Sequence, residues 1–222
     1  MIIKVNKIIV SPSILAADYS DFKGSVSQID DSGASWVHMD VMDGSFVPNI
    51  TFGPELVRAL RAKTKAILDV HLMIVQPGRF IRIFSEAGAD IITFHYETET
   101  HSHKYLTEIR SFGRKAGISL VPSTTCSVLE DILPYVDIAL IMTVNPGFGG
   151  QSLIPECLKK VEKLAQMREK ACLNFRISVD GGINEQTAKD AINAGADTLV
   201  MGSAFFGNTD KKALIDNLQK II

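Results

Sequence analysis

Glu86-Ala-Gly-Ala-Asp-Ile-Ile-Thr-Phe-His95 carries the punctuation that decides the fold. A small-residue turn centred on Gly88 is followed by a short β-branched apolar run that ends in a polar side chain. Glycine readily adopts the left-handed conformation that closes a helix, so Gly88 reads as a helix end and Ile91 as the start of a strand. The phrase recurs: Ser32-Gly-Ala-Ser35 precedes Trp36, Asn193-Ala-Gly-Ala-Asp197 precedes Thr198, and Gly117 is read the same way ahead of Ile118. Outward from these points, short apolar runs alternate with amphipathic stretches of helical period, the pattern of parallel strands joined by helical crossovers. Strands are predicted at Ile8 to Ser13, Trp36 to Asp40, Ala66 to Leu72, Ile91 to His95, Ile118 to Pro122, Ile138 to Thr143, Phe175 to Val179 and Thr198 to Gly202. Eight units in 222 residues suit an α/β (β/α)8 TIM barrel, a parallel eight-stranded barrel with outer helices, better than an open doubly wound sheet. With no linker, low-complexity segment or break in composition, residues 1–222 are predicted to form one domain.

Composition narrows the function. Hydrophobic residues make up 46% of the chain, enough for one sizeable core. The formal net charge is -2, with Lys and Arg scattered, so no nucleic-acid partner is expected. No stretch approaches the roughly 18 apolar residues of a membrane span, and the start from Met1 to Val10 lacks the h-region of a leader; a cytoplasmic protein with no membrane partner is expected. Cys126, Cys157 and Cys172 form no C-x-x-C pair and read as buried or incidental thiols. Asn49-Ile-Thr51 matches a glycosylation acceptor but lacks the secretory context that would give it meaning.

Chemistry concentrates at the ends of the predicted strands, where barrel enzymes carry their active sites. In order these positions hold Ser11 and Ser13, His38 and Asp40, His71, His95, Ser123, Asn145, Asp180, then Gly202 and Ser203. Polar groups at the ends of several buried strands are costly without partners, and a shared site supplies them. His38 and Asp40 are two apart on a strand, so both project to one face. His71 and Asp180 can converge on that face, giving two imidazoles and two carboxylates around one point. Either histidine alone would read as a hydrogen-bonded core residue; four candidates at matching strand ends read as a site for Zn, Fe(II), Mn or Co. Asn145-Pro-Gly-Phe-Gly-Gly-Gln-Ser152, Asp180-Gly-Gly-Ile183 and Gly202-Ser203 would bring backbone amides to an anion, and the loops after strands seven and eight are where barrels often bind phosphate. Met42, Met73 and Met142 fall at the mouth as a possible apolar lid, and Met39 alternates outward into the core. His101 and His103 read as solvated.

With these residues in hand, the chain resembles the ribulose-phosphate 3-epimerase family. The resemblance is carried by Ser11-Pro-Ser-Ile-Leu-Ala-Ala-Asp18, His38-Met-Asp-Val-Met-Asp-Gly-Ser-Phe-Val-Pro-Asn49, Asp69-Val-His-Leu-Met73, Asn145-Pro-Gly-Phe-Gly-Gly-Gln151, Val179-Asp-Gly-Gly-Ile183 and Gly202-Ser-Ala204, from the first strand to the last. It implies that His38, Asp40, His71 and Asp180 hold one divalent metal per chain, with Asp40 and Asp180 also exchanging protons with substrate. It implies substrate contacts from Ser13, His71, Gly147, Phe148, Gly149, Gly150, Asp180, Gly181, Gly182, Gly202 and Ser203. The expected reaction interconverts D-ribulose 5-phosphate and D-xylulose 5-phosphate; the alternative is a ketohexose 6-phosphate such as allulose 6-phosphate. A small sugar phosphate and further copies of the chain, as a homo-oligomer, are the expected partners. Two departures stand out: Val121-Pro-Ser-Thr-Thr125 replaces an Asn-Pro-x-Thr-Pro-like phrase, and Met201 is larger than the usual residue before Gly202. A Schiff-base aldolase would need a lysine in the barrel, and the predicted strands contain none. The Asp-x-Lys-x-x-Asp motif of the phosphate-barrel decarboxylases is also absent. A non-catalytic binding barrel would not need two flanking carboxylates.

Overall fold

Alternation along each strand separates two environments, and this separation builds the molecule. The computed structural model describes residues 7–221; residues 1–6, where the segment scanned for a leader begins, and residue 222 lie outside them. The strands are β1 (Ile9–Pro12), β2 (Trp36–Met42), β3 (Ile67–Met73), β4 (Ile91–His95), β5 (Lys115–Leu120), β6 (Ile138–Met142), β7 (Arg176–Asp180) and β8 (Thr198–Met201). The helices are α1 (Phe22–Ser32), α2 (Pro54–Arg61), α3 (Ile81–Ala87), α4 (Ser102–Ser111), α5 (Leu158–Lys170), α6 (Glu185–Ala194), α7 (Ser203–Phe206) and α8 (Lys211–Gln219).

All pairings are parallel, in the order β1-β8-β7-β6-β5-β4-β3-β2. A lone parallel bridge, Ser13 to His38, closes the ring between β1 and β2. The predicted barrel is therefore the observed one. One alternate set of strand residues, including Val37, Met39, Leu68, Val70, Ile92, Phe94, Ile118, Ile141 and Val179, faces outward. It packs against Val26 and Ile29 of α1, Val57 and Leu60 of α2, Phe84 of α3, Leu106 of α4, Val161 of α5 and Leu214 of α8. At roughly 1.5–3 kcal/mol for each fully buried large side chain, this sheath supplies the main stabilising term. The other set faces the barrel axis and is largely polar: Ser11, His38, Asp40, Asp69, His71, Thr93, His95, Ser119, Ser178 and Thr198 are all buried.

Gly33, Gly88 and Gly195 close α1, α3 and α6 in the left-handed conformation, as the recurring phrase predicts. Gly117 does not: it lies within β5, and Gly113, at φ 71°, makes the turn after α4 instead. A Cβ at Gly117 would come 2.0 Å from Thr93 Oγ1, so the glycine is required by close approach to β4 rather than by a helix end. β5 consequently starts three residues before its predicted start and includes Lys115. That lysine sits at the solvent end, far from the mouth, and bonds Asp137. The crossover from β5 to β6 contains two 3-10 turns, Cys126–Leu129 and Leu133–Tyr135, in place of an α-helix. Pro134 in the second turn has no N–H with which to continue a helical ladder. No helix among the described residues is long and apolar enough to cross a membrane.

Candidate active site

β2 delivers His38 and Asp40, β3 delivers His71 and β7 delivers Asp180 to one point at the C-terminal mouth. One ligand atom from each lies within 4.8 Å of all the others. His38 Nε2 and His71 Nδ1 are 3.3 and 3.2 Å from Asp40 Oδ1, and each is 3.9 Å from Asp180 Oδ2. The other ring nitrogen of His38 lies 2.8 Å from Asp69 Oδ2. A carboxylate only accepts, so Nδ1 carries the proton and Nε2 is turned into the cluster. That Nε2 is buried and has no aligned hydrogen-bond partner. An orphaned imidazole nitrogen facing two carboxylates, with a second imidazole beside it, is a donor set that fits a divalent cation.

The electrostatics are asymmetric. Burial alone would raise the Asp40 carboxyl, but His38, first through its charge, and His71 beside it drive it far below the usual carboxylate range. Asp180 is pushed up to about 7, first by burial and then by the charge of Asp40. Burial disfavours a charge on His38, yet Asp40 and Asp69 override it and hold the imidazole well above its ordinary value. His71 is pulled down to about 4, chiefly by burial. One carboxyl is thus ionised and the other half-protonated near neutrality, a few ångströms apart.

Neighbouring hydroxyls hold the Asp40 carboxylate and the backbone that carries both acids. Ser13 Oγ donates to Asp40 Oδ2 at 2.5 Å, Thr51 Oγ1 donates to the Asp40 carbonyl at 2.6 Å, and Thr143 Oγ1 donates to the Gly181 carbonyl at 2.5 Å. Of the residues outside the sequence-predicted set, Asp69 follows from alternation, because it stands two positions before His71 on β3. Thr51 and Thr143 carry no such signal; their partners become neighbours only through the loop after β2 and the register of β6 with β7.

A cavity of about 870 Å³ opens above the cluster, lined by Ser13, Asp40, Asp180, the loop Gly147 to Gly150, Gly181, Gly182, Gly202 and Ser203. Gly182 takes φ 68°, and a Cβ there would meet the Leu153 backbone nitrogen at 2.2 Å. The loops after β6 and β7 can interlock this closely only because a glycine stands at that position. Asn49 donates to the Gly147 carbonyl at 2.8 Å and Gln151 to those of Asn145 and Phe148, which shapes the β6 loop. The N-terminus of α6 is closed by its own capping box, Asn184 with Thr187, whereas Gly202, at the N-cap of α7, offers no side-chain cap. Met42 and Met73 form one apolar wall with Val47, and Met142 belongs to another with Leu140, Val144 and Val200. Phe148, 56% exposed, stands at the rim.

Other predicted strand-end residues lie elsewhere. Ser123 and Asn145 are exposed and do not line the cavity. His101 and His103 are exposed, and Met201 is buried in the outer sheath. Cys126 and Cys157 are buried and Cys172 is exposed, all as free thiols.

The Ribulose-phosphate 3 epimerase family profile matches residues 9–206. The chain is 51% identical over 205 residues to the ribulose-phosphate 3-epimerase of Treponema pallidum (strain Nichols), covering 92% of this chain and 94% of that protein. It is 47% identical over 214 residues to the chloroplastic ribulose-5-phosphate-3-epimerase of Arabidopsis thaliana, covering 96% and 76%. Among solved structures, 3-keto-L-gulonate-6-phosphate decarboxylase from Vibrio cholerae O1 biovar El Tor str. N16961 matches with a TM-score of 0.71 at 16% identity, covering 96% of this chain and 98% of that one. 3-Hexulose-6-phosphate synthase from Salmonella typhimurium matches with a TM-score of 0.68 at 17% identity, with the same coverage. At these identities the two structures share the fold alone.

Proposed function

Because the chain belongs to the ribulose-phosphate 3-epimerase family and is an isomerase-class enzyme, we propose that it interconverts D-ribulose 5-phosphate and D-xylulose 5-phosphate by two-acid proton transfer at C3. The observation that carries this reading is the pair Asp40 and Asp180, whose environments push their carboxyls in opposite directions. Such a split assigns complementary acid and base roles. One carboxylate takes the C3 proton from one face, leaving an enediolate, and the other carboxyl returns a proton to the opposite face. The abstracting carboxylate ends the step protonated and the donating carboxyl ends it ionised, and proton exchange with solvent resets the pair.

His38, Asp40, His71 and Asp180 would hold one divalent cation, which when bound would supply positive charge to the ketone and hydroxyl oxygens and oppose the upward push that burial and Asp40 give the Asp180 carboxyl. Ser13 orients Asp40. Backbone amides of the Gly147–Gly150 loop, Gly181, Gly182, Gly202 and Ser203 take the phosphate, and Ser203 contributes less than the amides around it. Met42, Met73 and Met142 exclude water from the reacting carbons. The names of relatives that match over nearly their whole length favour the pentulose over allulose 6-phosphate. We further infer a single-domain, cytoplasmic homo-oligomer; light scattering tests the assembly.

The deciding assay is turnover of D-ribulose 5-phosphate beside D-allulose 6-phosphate on one preparation. Preferred use of the pentulose, with deuterium entering C3 of the product in deuterated water, is expected. Product that keeps its original C3 hydrogen quantitatively would show direct intramolecular transfer and end the two-acid reading.

A further inference from the structure

His71 has no exposed surface, and both of its ring nitrogens have partners. Nδ1 faces the four-residue cluster, 3.2 Å from Asp40 Oδ1, a carboxylate that competes for the ring's proton, while Nε2 lies 2.9 Å from Nε2 of His95, the last residue of β4. Two imidazole nitrogens at that separation share a single proton; one donates and the other accepts. His95 Nδ1 in turn lies 3.3 Å from Glu97 Oε2. The other oxygen of Glu97 accepts the Val121 N–H at 2.9 Å. Burial works against ionisation of Glu97, but hydrogen bonds from His95, Thr124 and the Val121 amide hold its carboxyl down at about 2, so it acts only as an acceptor.

We infer that Glu97 and His95 form a proton-ordering relay that fixes the tautomer of His71 and presents its bare Nδ1 to the divalent cation. The relay has a definite direction. Glu97 accepts from His95 Nδ1–H, and this leaves His95 Nε2, which is wholly buried, as the acceptor. His71 must then donate through Nε2, which strips Nδ1 of its proton on the side where Asp40 and Asp180 converge. The reverse order would let His71 Nδ1 donate to Asp40, but it would put a proton where the metal binds and leave Glu97 facing a bare His95 Nδ1, unless His95 took a second proton at a buried position. Phe46 covers the ring of His95 with centroids 4.7 Å apart, which keeps solvent from supplying a competing partner. The relay also gives a role to the segment after β5 that departs from the family phrase. Its Val121 amide anchors Glu97, and Lys160 Nζ donates to the carbonyls of Val121 and Pro122 at 2.9 and 2.6 Å. Glu97 and His95 are positioning residues; neither touches the cluster's centre.

The inference rests on the metal-site reading above, and the experiment separates the two. Imidazole 15N NMR of the metal-free protein reads the tautomer of His71 directly, and competition with a chromophoric chelator reads Zn(II) affinity. The expected result is a His71 that carries its proton on Nε2. His95→Phe should weaken Zn(II) binding about 10–100-fold and mix the His71 tautomers, and His95→Gln, whose carbonyl oxygen can accept the Nε2 proton, should restore most of the affinity. Glu97→Gln, further from the core, should give an intermediate loss of about tenfold. A proton found on His71 Nδ1, or equal losses in His95→Phe and His95→Gln with an unchanged tautomer, would overturn the relay. If the unaltered protein bound no Zn(II), the metal-site reading would fail, while the NMR result would still decide the order of protons.

Discussion

Titrating Zn(II) into the metal-free protein at pH 6 and again at pH 8 should reveal a proton released by Asp180 at the lower pH and nearly none at the higher. With its carboxyl near 7, Asp180 is about nine-tenths protonated at pH 6 and about one-tenth at pH 8, and it must be ionised to ligate. Asp180 alone therefore raises apparent affinity about tenfold across that interval. His38, held protonated by Asp40 and Asp69, must also surrender its Nε2 proton. This adds up to about tenfold per pH unit for as long as it stays charged, so the full rise lies between about ten- and a thousandfold. The sign is fixed: both groups bind protons more tightly without metal, so affinity rises with pH. Calorimetry in two buffers of different ionisation enthalpy counts the protons, about two at pH 6 and about one at pH 8 if His38 remains charged throughout. Asp180→Asn should remove the pH 6 to pH 8 difference that belongs to the carboxyl and leave that of His38. Affinity independent of pH, with no proton released at pH 6, would refute the assigned electrostatics.

Asp40→Asn and Asp180→Asn should each abolish net epimerisation, and a variant that keeps its metal should still exchange the C3 proton of one epimer, as followed by deuterium incorporation beside metal analysis. Free D-ribulose should be a far poorer substrate than its 5-phosphate in both kcat and KM; equal kcat/KM would remove the phosphate role from the glycine loops. Gly117→Ala should cost about 1–3 kcal/mol in urea unfolding, and an added Thr93→Ala should recover only part of it, because the new Cβ also comes within 2.8 Å of Thr93 Cβ. The stability difference between the parent protein and Glu97→Gln should be present above about pH 4.5 and vanish as pH falls through about 2. That is the sign required of a carboxyl depressed in the folded state, and the difference should be about 1 kcal/mol once partial exposure is allowed for.

Much of this architecture is legible in the chain because two periodicities act locally. Seven strands begin and end within two residues of their predicted bounds, since a buried strand needs an apolar run and three of them follow a helix that ends on a glycine turn. The same alternation puts His38 and Asp40 on one face. Local pattern does not contain register, however. That His38 meets Asp69 across the β2–β3 ladder, and His71 meets His95 across the β3–β4 ladder, depends on pairings between residues 24 to 31 positions apart. Gly117 shows the same limit from the other side: its reason for being glycine is Thr93 on the next strand, and a glycine before an apolar run looks identical whether it ends a helix or makes room for a neighbour. The β5–β6 crossover is obscure because its apolar residues keep near-helical spacing although the chain there forms two short turns.

The lone bridge between β1 and β2 joins Ser13 to His38, and both belong to the cluster at the mouth. The barrel is thus fastened at its least-paired junction by residues that also face the ligands. A cation or substrate held there spans strands from both sides of that junction, so it works as a clasp on the ring. A ligand that favours the closed form should slow amide exchange along β1 and β2 more than along the fully laddered β4 to β6. Catalytic readiness and mechanical closure would then be one and the same transition, and a cell that starves the protein of metal would loosen its shape along with its chemistry.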